Sequence, residues 1–368
     1  MQNGNHLIAK RYSKIKHNLA LFELGLTLIF LLIAYISGVS FKIKLFADSL
    51  TSNQLIIIAI YIFIFSLFFN LLTFWLDYLQ GYWLERRFNL SRQKFISWLK
   101  DHFKKLAIGG LFYLIIIEVL YFFLKNYPYT WWIWTSIFWL FFSLVIAKIF
   151  PVFIIPLFYK LEKLKDEGLK NKLLGLAKRA KIKVVDIYSI GLGAKTVKAN
   201  AALTGLGKSK RILLSDTLLN NYSQEEIEAT LAHELAHHKY HHIWKLIAIS
   251  LFATIFSFLF VSILYNYILI DLIKFTLSDI VLFPLLAFIF MSLNIIFTPF
   301  QNAVSRYFES QADKEAISLT GRSSAFASLI EKLTKQNLSD PNPSKLVEIF
   351  FYDHPPAAKR IRAAKMKI

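Results

Sequence analysis

The sequence contains no cysteine among its 368 residues, and this absence limits the chemistry that is open to it. Disulfide bonds, thiolate metal sites and thiol nucleophiles are all excluded. Any metal site must therefore use histidine and carboxylate side chains. Because cytosolic proteins rarely carry disulfides, the absence also suits a functional face in the cytosol.

Acidic residues are scarce as well, with 24 Asp and Glu against 43 Lys and Arg and a net charge of +19. Residues 1–18, the loop at 86–105, the region 158–245 and the C-terminus are all basic. The alternate loops carry only a few basic residues: Lys42, Lys44, Lys125 and Lys274. Because this alternation follows the positive-inside rule, we expect a membrane protein with both termini in the cytosol and no nucleic-acid partner.

Long apolar runs dominate the chain, which is 56% hydrophobic with a mean hydropathy of +0.47. A bilayer is crossed by about 20 apolar residues, and runs of that length occur at 19–39, 55–76, 106–124, 131–157, 246–268 and 280–300. We therefore predict a multi-pass protein of the cell membrane with six transmembrane helices. Pro151 and Pro156 interrupt the fourth run, where a bend is expected.

The run HELAH at 233–237 is the most informative motif. Residues four apart lie one turn above each other on a helix, so His233 and His237 can bind one Zn²⁺. Glu234 lies beside them and can take a proton from water activated by the metal, a chemistry that serves amide hydrolysis. Ser223 and Glu226 form a capping-box pattern, which predicts that a helix begins just upstream.

Three further histidines follow the motif: His238, His241 and His242. Since four residues overshoot a helical turn by about 40°, His241 is rotated away from His233. We interpret these three residues as surface residues or as support for the metal ligands.

The chain divides into a membrane region of four spans at 1–157, an inserted catalytic unit at 158–245, two further spans at 246–300 and C-terminal helices at 301–368. The insert is predicted to be a small α+β unit, with a helix at 160–182 and strands at 183–190, 196–203 and 211–214. Helices are also predicted at 301–316, 323–336 and 355–366.

A catalytic zinc usually has three protein ligands and one open position. Glu309 is the best candidate for the third ligand, because it lies on a predicted helix and on the same side of the membrane as the histidines. Asp313, one turn later, can orient a ligand imidazole through its second ring nitrogen.

These residues carry a family resemblance over essentially the whole chain. HELAH, the block from Asn302 through Arg306 and Glu309 to Asp313, and the run DHPP at 353–356 resemble the CAAX prenyl proteases of the zinc metallopeptidase type. Similar segments are RYSK at 11–14, ERRFN at 85–89, PLFYK at 156–160, ANAA at 199–202 and KRILLSDTL at 210–218. The shorter HtpX-type membrane proteases share the catalytic motifs only.

The resemblance implies an α-helical integral membrane protein with its helices around a chamber and an inserted gluzincin-like zinc protease domain. It implies one Zn²⁺ per chain held by His233, His237 and Glu309, with Glu234 as general base. His354 and Arg306 would stabilise the oxyanion or fix the ligand geometry, and Asp313 and Asn302 would support the ligands. Asn200 and Ala201 would lie on an edge strand that pairs with an extended peptide.

The expected function is a zinc metalloendopeptidase that hydrolyses membrane-associated or CAAX-like peptides, lipidated or not. We expect a monomer whose partners are such peptides and membrane lipids. One alternative keeps the chemistry and assigns quality-control degradation of misfolded membrane proteins, as in the HtpX type. Another is a non-catalytic membrane protein with a structural zinc, in which Glu234 would have no purpose.

Overall fold

The computed structural model describes residues 2–205, 210–269 and 274–366. Within these ranges, six helical segments are long and apolar enough to cross a membrane, which confirms the predicted number. The main helices of these segments are α1 (Gln2–Ile36), α3 (Gln54–Tyr78), α5 (Phe95–Asn126), α6 (Trp131–Ile149), α11 (His242–Leu264) and α12 (Phe283–Thr320). Many of their apolar side chains are exposed, as expected for helices that face lipid.

Within the described residues, three of the spans contain a π-helical turn near the end of their apolar run. The first, at Leu79–Trp83, joins α3 to α4 (Leu84–Arg87), the second, at Phe150–Ile154, joins α6 to α7 (Ile155–Phe158), and the third, at Tyr265–Leu269, follows α11. The second turn contains Pro151, which has no backbone N–H to continue the α-helical ladder. The irregularity predicted for the fourth span is therefore present as a π-helical turn.

The connection between the first two spans folds as a short helix, α2 (Val39–Leu50). Gly38 precedes it at φ 72°, a left-handed conformation that favours glycine. The hydroxyl of Ser40 donates to the carbonyl of Val281 at 2.7 Å, so α2 is tied to the start of the sixth span. At 12 residues α2 is about 18 Å long, too short to cross a bilayer.

A cavity of about 960 Å³ lies between the first four spans and the inserted unit. Its wall combines aromatic side chains such as Trp98 and Phe112 with ionisable ones such as Glu23 and Asp77. Ionisable residues at membrane depth normally face protein or water. The lining therefore explains how carboxylates occur in otherwise apolar helices.

The unit inserted between spans four and five contains a four-stranded sheet in the order β1-β2-β4-β3. Its elements are β1 (Leu161–Lys163), α8 (Glu167–Arg179), β2 (Asp186–Ile190), β3 (Ala201–Thr204), β4 (Arg211–Ser215), α9 (Asp216–Asn221) and α10 (Gln224–Lys239). Strands β2 and β4 are parallel, whereas β1 and β3 pair antiparallel to their neighbours. Strand β3 forms one edge of the sheet.

The prediction of one helix over 160–182 was wrong at its start. Residues 161–163 instead form β1, which pairs with Tyr188–Ile190 of β2, and the helix begins after Asp166 caps the amide of Leu169. The strand predicted at 183–190 is present in shorter form as β2, whereas the one predicted at 196–203 begins only at Ala201 and ends at Thr204 as β3. Sheet pairing, which is not local in sequence, decides these boundaries.

The C-terminal helices are α13 (Ser323–Gln336), α14 (Lys345–Phe351) and α15 (Ala357–Lys365). They share one hydrophobic core with the inserted unit, in which Leu173, Ile187 and Leu235 of the insert and Phe326 of α13 are buried. The helix predicted at 301–316 is the continuation of the sixth span, because α12 runs unbroken through residue 300 despite Pro299. A rigid helix therefore connects the membrane region to this shared core.

Helix α10 begins with the predicted capping box. Ser223 accepts from the amide of Glu226, and the Glu226 carboxylate accepts from the amide of Ser223 at 2.8 Å. Only 3% of Glu226 is exposed, and it also accepts from Ser328 and Lys332 of α13 at 2.7 and 2.8 Å. Burial favours its protonated form, but these donors outweigh burial and hold the pKa of Glu226 below its usual value.

We expect Glu226→Gln to lower the free energy of unfolding by about 2 kcal/mol, because buried donors lose a charged acceptor. The depressed pKa means that this stabilisation is present above pH about 4.3 and is lost as pH falls below it. Thermal unfolding in mild detergent at pH 7 measures the effect. Glu225→Gln is the matched control, since Glu225 is exposed one residue away; equal losses for both variants would contradict the assignment.

Candidate active site

The site forms where α10 packs against α12. His233 and His237 lie one turn apart on α10 with their Nε2 atoms 3.2 Å from each other. The carboxylate of Glu309 on α12 lies opposite, with Oε2 3.1 Å from His233 Nε2 and Oε1 3.2 Å from His237 Nε2. The three side chains thus offer two nitrogens and one oxygen to a common point, as a metal site requires.

The chemistry of these groups fits a divalent cation. Glu309 is 5% exposed, and its buried Oε2 has no well-directed hydrogen bond within the described residues. Burial disfavours the protonated form of His233, but the carboxylates of Asp313 and Glu309 outweigh it and raise the pKa of His233 to about 9. The site therefore stabilises positive charge, and three ligands leave a position open for a further one.

Asp313 lies behind His233, with Oδ1 2.9 Å from the second ring nitrogen, Nδ1. It is held by a residue that the sequence reasoning missed: Arg360 of α15 donates to both Asp313 oxygens at 2.8 and 2.6 Å. Burial opposes the charge of Arg360, but Asp313 outweighs burial and raises the pKa of the guanidinium. In the sequence Arg360 is one of several basic residues near the C-terminus, so only its fold contact distinguishes it.

His237 has a comparable support, formed by His242 and by Gln311, of which only Gln311 was missed in sequence. Its Nδ1 lies 3.1 Å from Nδ1 of His242, whose Nε2 lies 3.0 Å from Oε1 of Gln311 on α12. His242 is fully buried and stacks on Phe308 with ring centroids 4.4 Å apart. The interpretation of this histidine as support for a ligand agrees with its position.

The other two histidines lie elsewhere. His241 has φ 56°, a left-handed conformation between α10 and α11. Because the helix is interrupted here, the rotation of about 40° expected for a continuous helix does not describe its position. His238 Nε2 lies 3.4 Å from the carbonyl of Leu203. Burial and the nearby charge of Lys210 lower the pKa of His238 to about 4, so its ring is neutral at pH 7.

His354 approaches the site from the segment after α14. Its Nε2 lies 3.2 Å from Glu309 Oε2, and its Nδ1 lies 2.7 Å from Asp353 Oδ1. The hydrogen bond and charge of His354 outweigh burial and lower the pKa of Asp353. A histidine far from HELAH in sequence therefore reaches the same carboxylate as the two metal-ligand candidates.

Arg306 and Asn302 of α12 bind the backbone of the segment that carries His354. Arg306 donates to the carbonyls of Glu348 and Tyr352 at 2.9 and 2.7 Å. Asn302 donates to the carbonyls of Ile349 and Phe350 at 3.1 and 2.9 Å. In this arrangement both residues position the His354 segment through its backbone.

Glu234 is half-buried and lines a cavity of about 150 Å³ beside the candidate metal ligands. The cavity is also lined by Asn200, Ala201, His354 and Arg360. Thus β3, the edge strand, begins next to the general-base candidate.

The segment before β3 is fastened to the membrane helices. Lys198 Nζ lies 2.7 Å from Glu85 Oε2 of α4, and the amide of Val197 donates to the carbonyl of Leu90 at 3.0 Å. The hydroxyl of Thr196 also donates to Leu90 at 2.8 Å. Strand β3 is therefore positioned from the membrane region as well as from the sheet.

Comparisons with known proteins agree with this geometry. The family model described as "Peptidase family M48" matches residues 163–368, and the model described as "CAAX prenyl protease N-terminal, five membrane helices" matches residues 1–160. In residues 2–160 of this chain, four segments have spanning length, and α2 is a fifth, short helix.

Among curated proteins, the chain is 32% identical to "Uncharacterized metalloprotease YhfN" of Bacillus subtilis, over 99% of this chain and 86% of that protein. It is 34% identical to "CAAX prenyl protease 1" of Saccharomyces cerevisiae, over 78% of this chain and 67% of the yeast protein. The crystal structure of S. mikatae Ste24p superposes with a TM-score of 0.85 at 26% identity, covering 99% of this chain and 89% of that one.

One family model covers the first four membrane spans, and the other covers the histidine-carboxylate site and the last two spans. The Bacillus subtilis relative aligns with 99% of the chain and so extends over both regions. The chain therefore belongs to peptidase family M48 and is a multi-pass membrane metalloprotease of the CAAX prenyl protease type.

Proposed function

We propose that this protein is a zinc endopeptidase that cleaves membrane-associated peptides in the cytosol. The observation that carries the proposal is the convergence of His233, His237 and Glu309 at 3.1 to 3.2 Å, with Glu234 lining the adjacent cavity. His233, His237 and Glu309 would hold the ion. A bound Zn²⁺ supplies Lewis-acid activation of water and of the scissile carbonyl.

The residues of the chain supply the remaining steps. An extended peptide pairs with the free edge of β3, which begins at Ala201 next to Asn200, and this brings its scissile bond to the cavity lined by Glu234. Glu234 takes a proton from the attacking water and passes it to the leaving amide nitrogen. His354 donates to the oxygen on which negative charge develops, while Arg306 and Asn302 hold the segment that carries it.

The supporting residues fix the protonation of the ligands. A metal needs the lone pair of His237 Nε2, so the ring proton lies on Nδ1 and is donated to Nδ1 of His242. The proton of His242 then lies on Nε2 and is donated to the acceptor oxygen of Gln311. Asp313 likewise accepts the Nδ1 proton of His233, which leaves the lone pair of His233 Nε2 for the metal.

The orientation follows from charge. The basic segments lie on the same side as the inserted unit in the six-span arrangement, so the positive-inside rule assigns both termini and the site to the cytosol. We also propose that the protein acts as a monomer, with one Zn²⁺ per chain.

The substrate class is proposed from the relatives named above. CAAX-like peptides, with or without a lipid, would reach the cavity lined by Glu234 from the membrane side. The purified protein in liposomes, offered a peptide library with and without prenyl groups, tests this. One defined cut near a peptide's C-terminus would support the proposal, whereas broad cleavage of unfolded substrates would support quality control of the HtpX type.

Glu234→Gln should retain zinc and lose at least about 100-fold in cleavage rate, because the general base is removed and the ligands remain. His233→Ala should lose both zinc and cleavage, because one of three ligands is removed. Metal analysis and single-turnover cleavage in liposomes measure the two effects. Undiminished cleavage by Glu234→Gln would exclude the mechanism, and full zinc content in His233→Ala would exclude the ligand assignment.

His242→Phe should weaken zinc binding about 10- to 100-fold, because an aromatic ring can still stack on Phe308 but cannot accept the proton of His237. Competition with a chelator of known affinity measures this without any activity assay. Gln311→Glu retains an acceptor oxygen and should bind zinc nearly normally, whereas Gln311→Met should resemble His242→Phe. Unchanged zinc affinity in His242→Phe would refute the proposed support.

A further inference from the structure

Helix α14 contacts two membrane helices near the ends of their apolar runs. His17 of α1 is two residues before the apolar run that begins at Leu19, and its ring packs on Phe351 with centroids 4.6 Å apart. Asn302 of α12 is two residues after Phe300, the end of another apolar run, and it donates to the carbonyls of residues 349 and 350. Two membrane helices thus independently place the last turn of α14 at the end of their apolar segments.

The helix exposes apolar side chains at this depth. Leu346 is 70% exposed and Phe350 is 42% exposed, and their spacing of four residues puts both on one face. The carboxylate of Glu348 is turned elsewhere, toward Lys359 at 2.7 Å. Leu346 and Phe350 therefore form an exposed apolar pair next to the exposed Lys345, and polar contacts hold the helix to the protein.

The neighbouring end of the α12 apolar run also exposes apolar side chains. Ile296 and Phe300, in the last turns of the apolar run, are 70% and 59% exposed. Leu346 is at most about 6 Å from the level of Phe350, because four residues of helix rise that far. The headgroup layer of one leaflet is about 5–7 Å thick, which is comparable with this separation.

We propose that α14 is an interfacial helix that inserts Leu346 and Phe350 between lipid headgroups and acyl chains. The occupant of this face is the bilayer itself, since Leu346 and Phe350 are exposed at the level where the apolar runs of α1 and α12 end. Apolar side chains of an interfacial helix bury at that boundary.

The contact bears on the site, because Asp353 and His354 follow α14 directly. Arg306 and Asn302 hold the backbone of this segment from α12, and lipid would hold it from the opposite face. This consequence rests on the role proposed for His354, whereas the lipid contact itself does not.

The absence of cysteine allows a direct test, because single cysteines can be introduced and spin-labelled without removing others. We would label Leu346→Cys and Phe350→Cys in phosphatidylcholine nanodiscs and measure collision with oxygen and with a water-soluble nickel chelate. Ile296→Cys is the lipid-facing reference. Glu331→Cys on α13 is the water-facing reference, since Glu331 is half-exposed and pairs with Lys335.

We expect labels at 346 and 350 to favour oxygen over nickel several-fold relative to position 331, in the direction of position 296. Collision ratios at 346 and 350 equal to that at 331 would overturn the proposal and leave this face free for a protein partner. A cleavage assay on the same variants separates the lipid contact from the role proposed for His354. If a variant loses activity while its label still favours oxygen, the loss concerns His354 and not the lipid contact.

Discussion

The contact between α10 and α12 is the constraint on which the rest of the structure depends. One helix carries two imidazoles and the other carries two carboxylates one turn apart, so a single packing contact creates both the candidate ligand set and its support. Glu309 and Asp313 are both buried there, and isolated carboxylates in such a place would be very unfavourable. The imidazoles, together with Arg360 beside Asp313, make their burial possible.

Buried carboxylates also explain where the C-terminal helices pack. Arg360 makes a bidentate contact with Asp313, which places α15 behind His233, and α13 donates to Glu226 at the start of α10. Bidentate arginine-carboxylate pairs are directional as well as strong. The segments after the sixth span thus fasten α10 at its start and support its metal-ligand candidate from behind.

Much of the architecture was predictable from local patterns. Apolar runs of about 20 residues lead to six spans because an unsatisfied backbone is very costly in lipid, and the pattern SQEE at 223–226 leads to the observed capping box. The start of α8 was not predictable in this way. Residues 161–163 are a strand only because β2, more than 20 residues later, offers them a partner.

The same division holds within the site. His233 and His237 are four residues apart on one helix, and so are Glu309 and Asp313. With 3.6 residues per turn, each pair lies on one helix face whatever the tertiary structure. Arg360, Gln311 and His242 carry no such local signature. Their contacts join residues that are 47, 69 and 5 positions apart, the last across the left-handed turn at His241. Only the tertiary packing decided which of many polar side chains support the ligands, because a charge or proton donor gains its role from the buried partner it meets.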